Sequence, residues 1–358
     1  MLAEQTTECE TERQGTGQTS ALRARLLPMF PLGIVCGGLE VQCLKTQAAL
    51  ERIGVPARLL DYYDAEDRFD ILHLFGSTGA YLDLCQQAAG RWKIVVSAVS
   101  GAPSVRSQRA HIWQSVSALA HAARLQTSYS SLKQVYHLAD AVICLNQLEA
   151  EFLRVTYAVP QEKIRIISNG VDSHFFTATG ELFAAQYQAR DYVLFTGNIV
   201  ERKNPLQLAR VLQRAGHAGV FIGGTLASEQ AYAEEFARVI NDTPRLLWIR
   251  GISPNDPLLA SAYAGARVFC LPSSAETQSL SALEAMACST PVILGDFAYA
   301  RQIPFEACLR CNPNDEASLS ALIEQTMADP ERFRIRLSED YSWDNVARQI
   351  IKVYRQIS

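Results

Sequence analysis

Residues 268–294 read VFCLPSSAETQSLSALEAMACSTPVIL. The apolar run 268–271 breaks at Pro272, which predicts a strand closed by a loop. Residues 280–288 repeat apolar side chains at helical spacing without Gly or Pro, which predicts a helix. Residues 291–294 form a second apolar run, short enough for a buried strand. Strand, loop, helix and strand in this order make a β-α-β unit. Such units build parallel sheets with helices on both faces.

The same alternation extends in both directions. Toward the N-terminus, strands are expected at 246–249, 220–222 and 192–196, with helices at 231–240 and 205–215 between them. A separate set comes earlier. Apolar runs occupy 26–30 and 34–36, followed by Gly37-Gly38 and a helix at 40–53 that Gly54 ends. Strands follow at 55–60, 70–75, 94–99, 141–145 and 164–167, the last closing in the turn Ser168-Asn169-Gly170. Helices are expected at 106–138 and 149–157, and 173–190 reads as the segment crossing between the two sets. The fold class is therefore α/β, with two doubly wound parallel sheets. Sheets of this kind bind ligands beyond the carboxyl ends of their strands, and two facing each other leave a cleft. The expected divisions are an extension at 1–25, a first domain at 26–185, a second at 186–338, and a closing segment at 339–358.

Composition sets outer bounds. The 358 residues are 48% hydrophobic and 20% charged, which excludes disorder and fibrous repeats. Thirty-three Lys and Arg against 37 Asp and Glu give a net charge of −4, which argues against a nucleic-acid partner. No uninterrupted apolar run reaches the roughly 18 residues that a membrane-spanning helix needs. The first 25 residues are polar, lack a basic segment followed by an apolar one, and read as a mobile extension rather than a signal peptide. Gly15-Thr16-Gly17 has no strand before it and is not read as a nucleotide fingerprint. The nine cysteines sit mostly in apolar runs, as small buried side chains in a reducing compartment do. Cys308 and Cys311 form a lone C-x-x-C with no second pair to complete a zinc site.

Three loops carry candidate chemistry. Glu276 lies before the helix at 280–288 and Glu284 within it, eight residues later. The free amides of Ser279 and Leu280 at that helix start suit an anion, while two carboxylates suit hydroxyls. On spacing alone, a loop cap and a solvated helix residue are the commoner reading of two glutamates so placed. The second loop is Gly197-Asn198-Ile199-Val200-Glu201-Arg202-Lys203, between a strand and a helix. Its glycine allows close approach, and its cations can neutralise phosphates or simply lie on the surface. The third is Gly37-Gly38, a close-approach loop or an ordinary turn.

Taken together these segments resemble the retaining glycosyltransferases of family 4, which have the GT-B fold. The E-x7-E pattern falls on Glu276 and Glu284, followed by Ala285-Met286-Ala287-Cys288-Ser289-Thr290-Pro291-Val292. The Gly…Lys element falls on Gly197 and Lys203, and the Gly-Gly loop on Gly37-Gly38-Leu39-Glu40. Ile167-Ser168-Asn169-Gly170-Val171-Asp172, with Phe175 or Phe176 after it, resembles the element closing the first lobe. The stretches 70–73 and 139–142 also fit in order. Residues 341–347 resemble the start of a terminal helix returning to the first lobe. The likeness runs from about residue 26 to the end and is most specific at 272–292.

The resemblance implies transfer of a sugar from a nucleoside-diphosphate donor, with retention, to a hydroxyl of a saccharide or lipid-linked acceptor. It implies catalytic roles for Glu276, Lys203 and Arg202, with Glu276 on the donor sugar and the two cations on the diphosphate. It implies substrate binding by Gly37, Gly38, Gly197, Asn198, Ser279, Leu280 and Glu284, with Glu284 on the ribose. The first domain would take the acceptor and the second the nucleotide sugar. No cofactor and no metal are expected. Asn198 stands where the family often has Arg, and Arg202 is expected to supply that charge. Thr277 and Ser279 replace frequent glycines, and Ser97-Ala98-Val99-Ser100-Gly101 lacks a His that many members carry. His73 and His111 remain candidates for the cleft, or structural histidines.

Residues 84–139 contain Arg91, Lys93, Arg106, Arg109, Arg124 and Lys133 and no Asp or Glu. This is either a solvated face or a surface for anionic lipid, the latter giving a cytoplasmic enzyme a peripheral contact with the inner face of the membrane. The competing functional readings are a non-catalytic nucleotide-sugar-binding subunit and a phosphorylase or sucrose-type synthase on the same fold.

Overall fold

The computed structural model describes residues 22–31, 37–100 and 127–358. Residues 1–21 of the extension expected at 1–25, with Gly15-Thr16-Gly17, the apolar run 34–36, and 101–126 with Gly101 and His111 lie outside the described residues, while Ala24 and Arg25 of that extension are in a strand. So does the first part of the helix expected at 106–138.

Two six-stranded sheets form, and every pairing in both is parallel. The first contains β1 (Ala24–Pro28), β2 (Ala57–Leu59), β3 (Ile71–Phe75), β4 (Lys93–Ser97), β5 (Ala141–Cys144) and β6 (Ile164–Ile166), in the order β2-β1-β3-β4-β5-β6. The second contains β7 (Tyr192–Thr196), β8 (Ala218–Ile222), β9 (Leu246–Ile249), β10 (Val268–Leu271), β11 (Val292–Gly295) and β12 (Leu309–Cys311), in the order β12-β11-β10-β7-β8-β9. Helices α1 (Gly38–Arg52), α2 (Leu82–Ala88), α3 (Ser128–Leu138) and α4 (Gln147–Tyr157) belong to the first lobe. Helices α5 (Glu181–Tyr187), α6 (Pro205–Ala215), α7 (Gln230–Asn241), α8 (Pro257–Gly265), α9 (Leu280–Ala287) and α10 (Glu316–Ala328) surround the second sheet, and α11 (Trp343–Ile357) closes the chain.

Each sheet has one place where the strand order reverses. In the second sheet it lies between β7 and β10, and in the first between β1 and β3. Loops leaving neighbouring strands there run to opposite faces and open a crevice, which is where doubly wound sheets take ligands. The loops after β7 and β10 are 197–204 and 272–279, and the loop after β1 ends at Gly37. Topology alone therefore brings the three segments singled out above to the two crevices.

The elements follow from their side chains. Pro205 opens α6, where its missing N–H costs nothing, and left-handed Gly216 ends it. Asn146 caps α4 by accepting from the Glu149 amide at 2.9 Å. Helix α8 is not evident from sequence periodicity, because all of Leu258, Leu259, Ala260, Ser261, Ala262 and Tyr263 are buried. A helix apolar on every side carries no amphipathic signal. The crossing segment 173–190 contains α5, whose Phe183 is buried in the second core together with Phe175.

Helix α11 buries Trp343, Val346, Ala347, Ile350, Ile351, Val353 and Tyr354 in one first-lobe core cluster with α1. Its start runs beside Val171, just before the crossing segment 173–190, in an isolated parallel bridge between Val171 and Ser342. The Val171 amide donates to Tyr341 O at 2.8 Å, and the Trp343 amide to Val171 O at 3.2 Å. The Tyr354 hydroxyl meets His73 Nδ1 at 2.7 Å, and His73 Nε2 meets Ser97 Oγ at 2.9 Å. His73 is fully buried, and burial pushes its pKa down to about 3. Of the two readings left open for it, the structure takes the structural one: His73 is a neutral tie joining β3, β4 and α11.

Tyr354→Phe should destabilise the first lobe by about 1–3 kcal/mol, because it leaves a buried imidazole nitrogen without a partner. The expected sign is a lower denaturant midpoint of that lobe, and an unchanged midpoint would show that the tie contributes nothing.

Candidate active site

The loop after β7 begins at Gly197, whose φ of 138° is reserved for glycine. The neighbouring strand end presses against it: a Cβ at Gly223 would sit 2.0 Å from Gly197 O. Two glycines thus allow the ends of β7 and β8 to touch. The chain then makes a short helical turn over Glu201–Lys203, passes through left-handed Asn204, and enters α6. The Lys203 side chain folds back over Gly197, its Cδ 3.1 Å from where a Cβ would be. Asn198 lies half-buried at the start of this loop.

The loop after β10 closes on this turn. The Ser274 amide donates to Arg202 O at 2.8 Å, and the Arg202 guanidinium donates to Ala275 O. Glu276 Oε1 then receives three groups at 2.9 Å: Lys203 Nζ, Arg202 Nη1 and Ser273 Oγ. Burial alone would raise the Glu276 pKa. The Lys203 and Arg202 charges outweigh it and hold the carboxyl below its ordinary value. Lys203 and Glu276 are both nearly buried, whereas Arg202 is about half exposed. The cluster is therefore one carboxylate shared by two cations, with the guanidinium reaching solvent.

Ser279 caps α9 by accepting from the Ala282 amide at 3.2 Å. Leu280 begins that helix and packs against the first-lobe core. Across the cleft, Gly37 precedes the first turn of α1. A Cβ on Gly38 would meet Leu280 Cδ1 at 3.7 Å. The amino ends of α1 and α9 therefore meet across the cleft. Each carries the partial positive charge of unpaired amides.

Glu284, on the second turn of α9, has separate surroundings. The Tyr263 hydroxyl donates to its Oε2 at 2.8 Å and also bonds Thr196 Oγ1 at 2.5 Å. Burial pushes the Glu284 pKa up to about 7, opposed by the Tyr263 bond. The Asp172 charge raises it further, and that of Lys45 lowers it. Lys45 projects from α1, pairs with Asp172, and donates to Asn255 Oδ1 at 2.5 Å on the second lobe.

The fold thus joins Lys203, Arg202, Glu276 and Gly197 in one cluster and brings Ser279, Leu280, Gly37 and Gly38 to the facing helix ends. Glu284 sits apart in a second polar pocket. Sequence reasoning missed Tyr263, Lys45 and Ser273. Tyr263 lies on the helix with no periodic signal, and Lys45 reaches Asp172 across 127 residues of chain. The loop noted in the sequence for its missing family histidine has a structure that the sequence did not reveal. There Val99 adopts φ 44°, strained for a β-branched residue, and Ser100 is held by the buried Glu149 carboxylate at 2.5 Å from N–H and 2.9 Å from Oγ.

Of the basic stretch 84–139, Arg106, Arg109 and Arg124 lie outside the described residues. Lys93 is paired with Asp140 at 3.3 Å. Among the described residues no group of three or more His, Cys, Asp or Glu could hold a metal ion. No helix among them is long and apolar enough to cross a membrane.

Comparison with known proteins bears on both lobes. The family model described as Glycosyltransferase Family 4 matches residues 40–175, and that described as Glycosyl transferases group 1 matches 190–329. Alpha-maltose-1-phosphate synthase of Mycolicibacterium smegmatis is 25% identical over 248 residues, 62% of this chain and 64% of that protein. The chain thus spans less than two thirds of that relative's length. Sucrose-phosphate synthase of Thermosynechococcus elongatus superposes with a TM-score of 0.72 at 20% identity, over 94% of this chain and 99% of the other. Anabaena HepE, solved in complex with UDP, superposes with a TM-score of 0.68 at 16% identity, over 94% and 100%. These likenesses extend across both lobes and give the chain the GT-B fold. With one glycosyltransferase model matched in each lobe, the chain belongs to the group 1 and family 4 glycosyltransferases.

Proposed function

We propose that the protein is a cytoplasmic retaining glycosyltransferase that moves a sugar from a nucleoside-diphosphate sugar to a hydroxyl of a saccharide or lipid-linked acceptor. The observation that carries this reading is the cation pair on Glu276 at the switch point of the second sheet, facing the amino ends of α1 and α9. That arrangement suits a leaving diphosphate. Lys203 and Arg202 would neutralise it, helped by the amides of Ser279 and Leu280 and by Gly37-Gly38 from across the cleft. Because these groups are set before the charge develops, they lower the barrier without reorganising. Glu276 would accept from donor-sugar hydroxyls, and Glu284 from the ribose.

In this mechanism the acceptor oxygen bonds to the anomeric carbon on the face from which the diphosphate departs. The acceptor proton passes to the departing phosphate oxygen. Positive side chains and amides meet the charge of the leaving group, so no metal is assigned a part. The UDP in the HepE structure and the sugar phosphates in the relatives' names support a nucleotide donor and a sugar acceptor.

A thermal-shift panel of UDP-, GDP-, ADP- and dTDP-sugars tests the donor, since a ligand at 100 times its Kd stabilises the fold by about 2.7 kcal/mol. Lys203→Ala and Glu284→Ala should each lower turnover by about 100–1,000-fold while the protein stays folded. Near-wild-type turnover at saturating donor in either variant would refute the assignment.

Glu284 gives a pH signature. Its folded pKa is raised, so its contribution to stability is complete below the ordinary carboxylate value and is lost as pH rises through about 7. Hydroxyls donating to the carboxylate favour its charged form. UDP affinity should therefore rise with pH up to about 7, by at most about tenfold per unit, and level off above. Calorimetry should find no such rise in Glu284→Gln beyond the titration of the phosphate itself.

A further inference from the structure

We propose that Gln278 is a positioning residue through which the first lobe sets the geometry of the Glu276 loop, an inference that rests on the transferase reading. Gln278 is a polar loop residue directly before the Ser279 cap of α9, yet only 6% of it is exposed. Its partners explain the burial. The carboxamide Oε1 accepts from the Asn169 amide at 2.7 Å and from Ser168 Oγ at 3.0 Å. Its Nε2 donates to Leu145 O at 3.4 Å, and its own carbonyl accepts from Asn169 Nδ2 at 3.4 Å. One residue earlier, Thr277 O accepts from Asn146 Nδ2 at 2.7 Å.

Every one of these partners belongs to the first lobe, at the carboxyl ends of β5 and β6. The two ends of the loop are held by the second lobe instead. Glu276 is fixed by Lys203, Arg202 and Ser273, and Ser279 starts α9. The stretch 276–279 is thus anchored at its two ends by one lobe and between them by the other. A cavity of about 540 Å³ lined by Asn146, Ser168, Gln302 and Tyr341 flanks the seam, so solvent reaches its edge.

Separating the lobes would strip Gln278 of its first-lobe partners and the Thr277 carbonyl of the Asn146 donor, and so loosen the loop between Glu276 and α9. Closing them sets that loop. Of the proposed contacts to the nucleotide, Lys203, Arg202, Glu284 and the start of α9 at Ser279 lie on the second lobe and keep their second-lobe hydrogen bonds either way, and only Gly37-Gly38 come from the first. The effect of Gln278 should therefore appear in turnover rather than in nucleotide affinity.

Two substitutions separate this role from simple loss of structure. Gln278→Leu removes both polar atoms, whereas Gln278→Glu keeps the oxygen that Asn169 and Ser168 donate to. Asn146→Asp removes the donor to Thr277 O from the opposite side and preserves the acceptor that caps α4. In the full chain without ligand, exchange of the Asn169 amide should speed up about tenfold or more in Gln278→Leu and stay near wild type in Gln278→Glu. With UDP-glucose as donor, kcat should fall about 10–100-fold in Gln278→Leu and Asn146→Asp and recover largely in Gln278→Glu. The Kd for UDP should stay within about twofold throughout.

Wild-type exchange and kcat in Gln278→Leu would overturn the proposal, as would parallel losses of UDP affinity and kcat. If Lys203→Ala loses UDP binding and turnover while Gln278→Leu keeps both, this inference alone fails. If the wild-type chain binds no nucleoside diphosphate, the transferase reading fails and takes the positioning role with it, although the exchange data still report the seam.

Discussion

One oxygen organises the centre of the second lobe. Oε1 of Glu276 accepts from Lys203 and Ser273 and pairs with Arg202. These groups come from two loops that leave adjacent strands, β7 and β10, in opposite directions. Without the carboxylate, two neighbouring cations of the loop after β7 would stand at the crevice with no counter-charge. A nearly buried ion pair of this kind contributes little net stability, because desolvation consumes most of the Coulombic gain. Its value lies in register: it fixes where the ammonium and guanidinium stand before any ligand arrives.

The backbone around this point is arranged to permit it. Gly197 must turn through a conformation open only to glycine, and Gly223 must leave room for the Gly197 carbonyl. The strand order then does the rest, since a reversal between β7 and β10 leaves the two loops no common face to cover the crevice. The first lobe repeats the device between β1 and β3, so the amino end of α1 is aimed at the same cleft.

Much of this is legible in the sequence because it is local. A β-α-β unit such as 268–294 declares itself through apolar runs and breakers, and the loops that matter follow strands. What escapes is of two kinds. Helix α8 has no polar face, so its Tyr263, which holds Glu284, lies in a stretch with no periodicity. Contacts between lobes leave no local trace either: Gln278 reads as a polar loop residue, and only the folded chain shows that Asn169 and Leu145 consume its amide. His73 shows a choice that sequence leaves open. Its residue type suggests chemistry, yet burial between Tyr354 and Ser97 leaves it neutral.

Helix α11 has a consequence for how the molecule is made. Its apolar face completes a core whose other members, from Ala24 to Ile167, are synthesised before the second lobe begins. During translation the first lobe therefore emerges with an open apolar face that only residues 343–357 can cover. The second lobe, whose core lies between Val171 and Leu337, can close as soon as it is clear of the ribosome. The half of the molecule that comes first along the chain is the half that finishes folding last, and until then it presents a sticky surface to its surroundings.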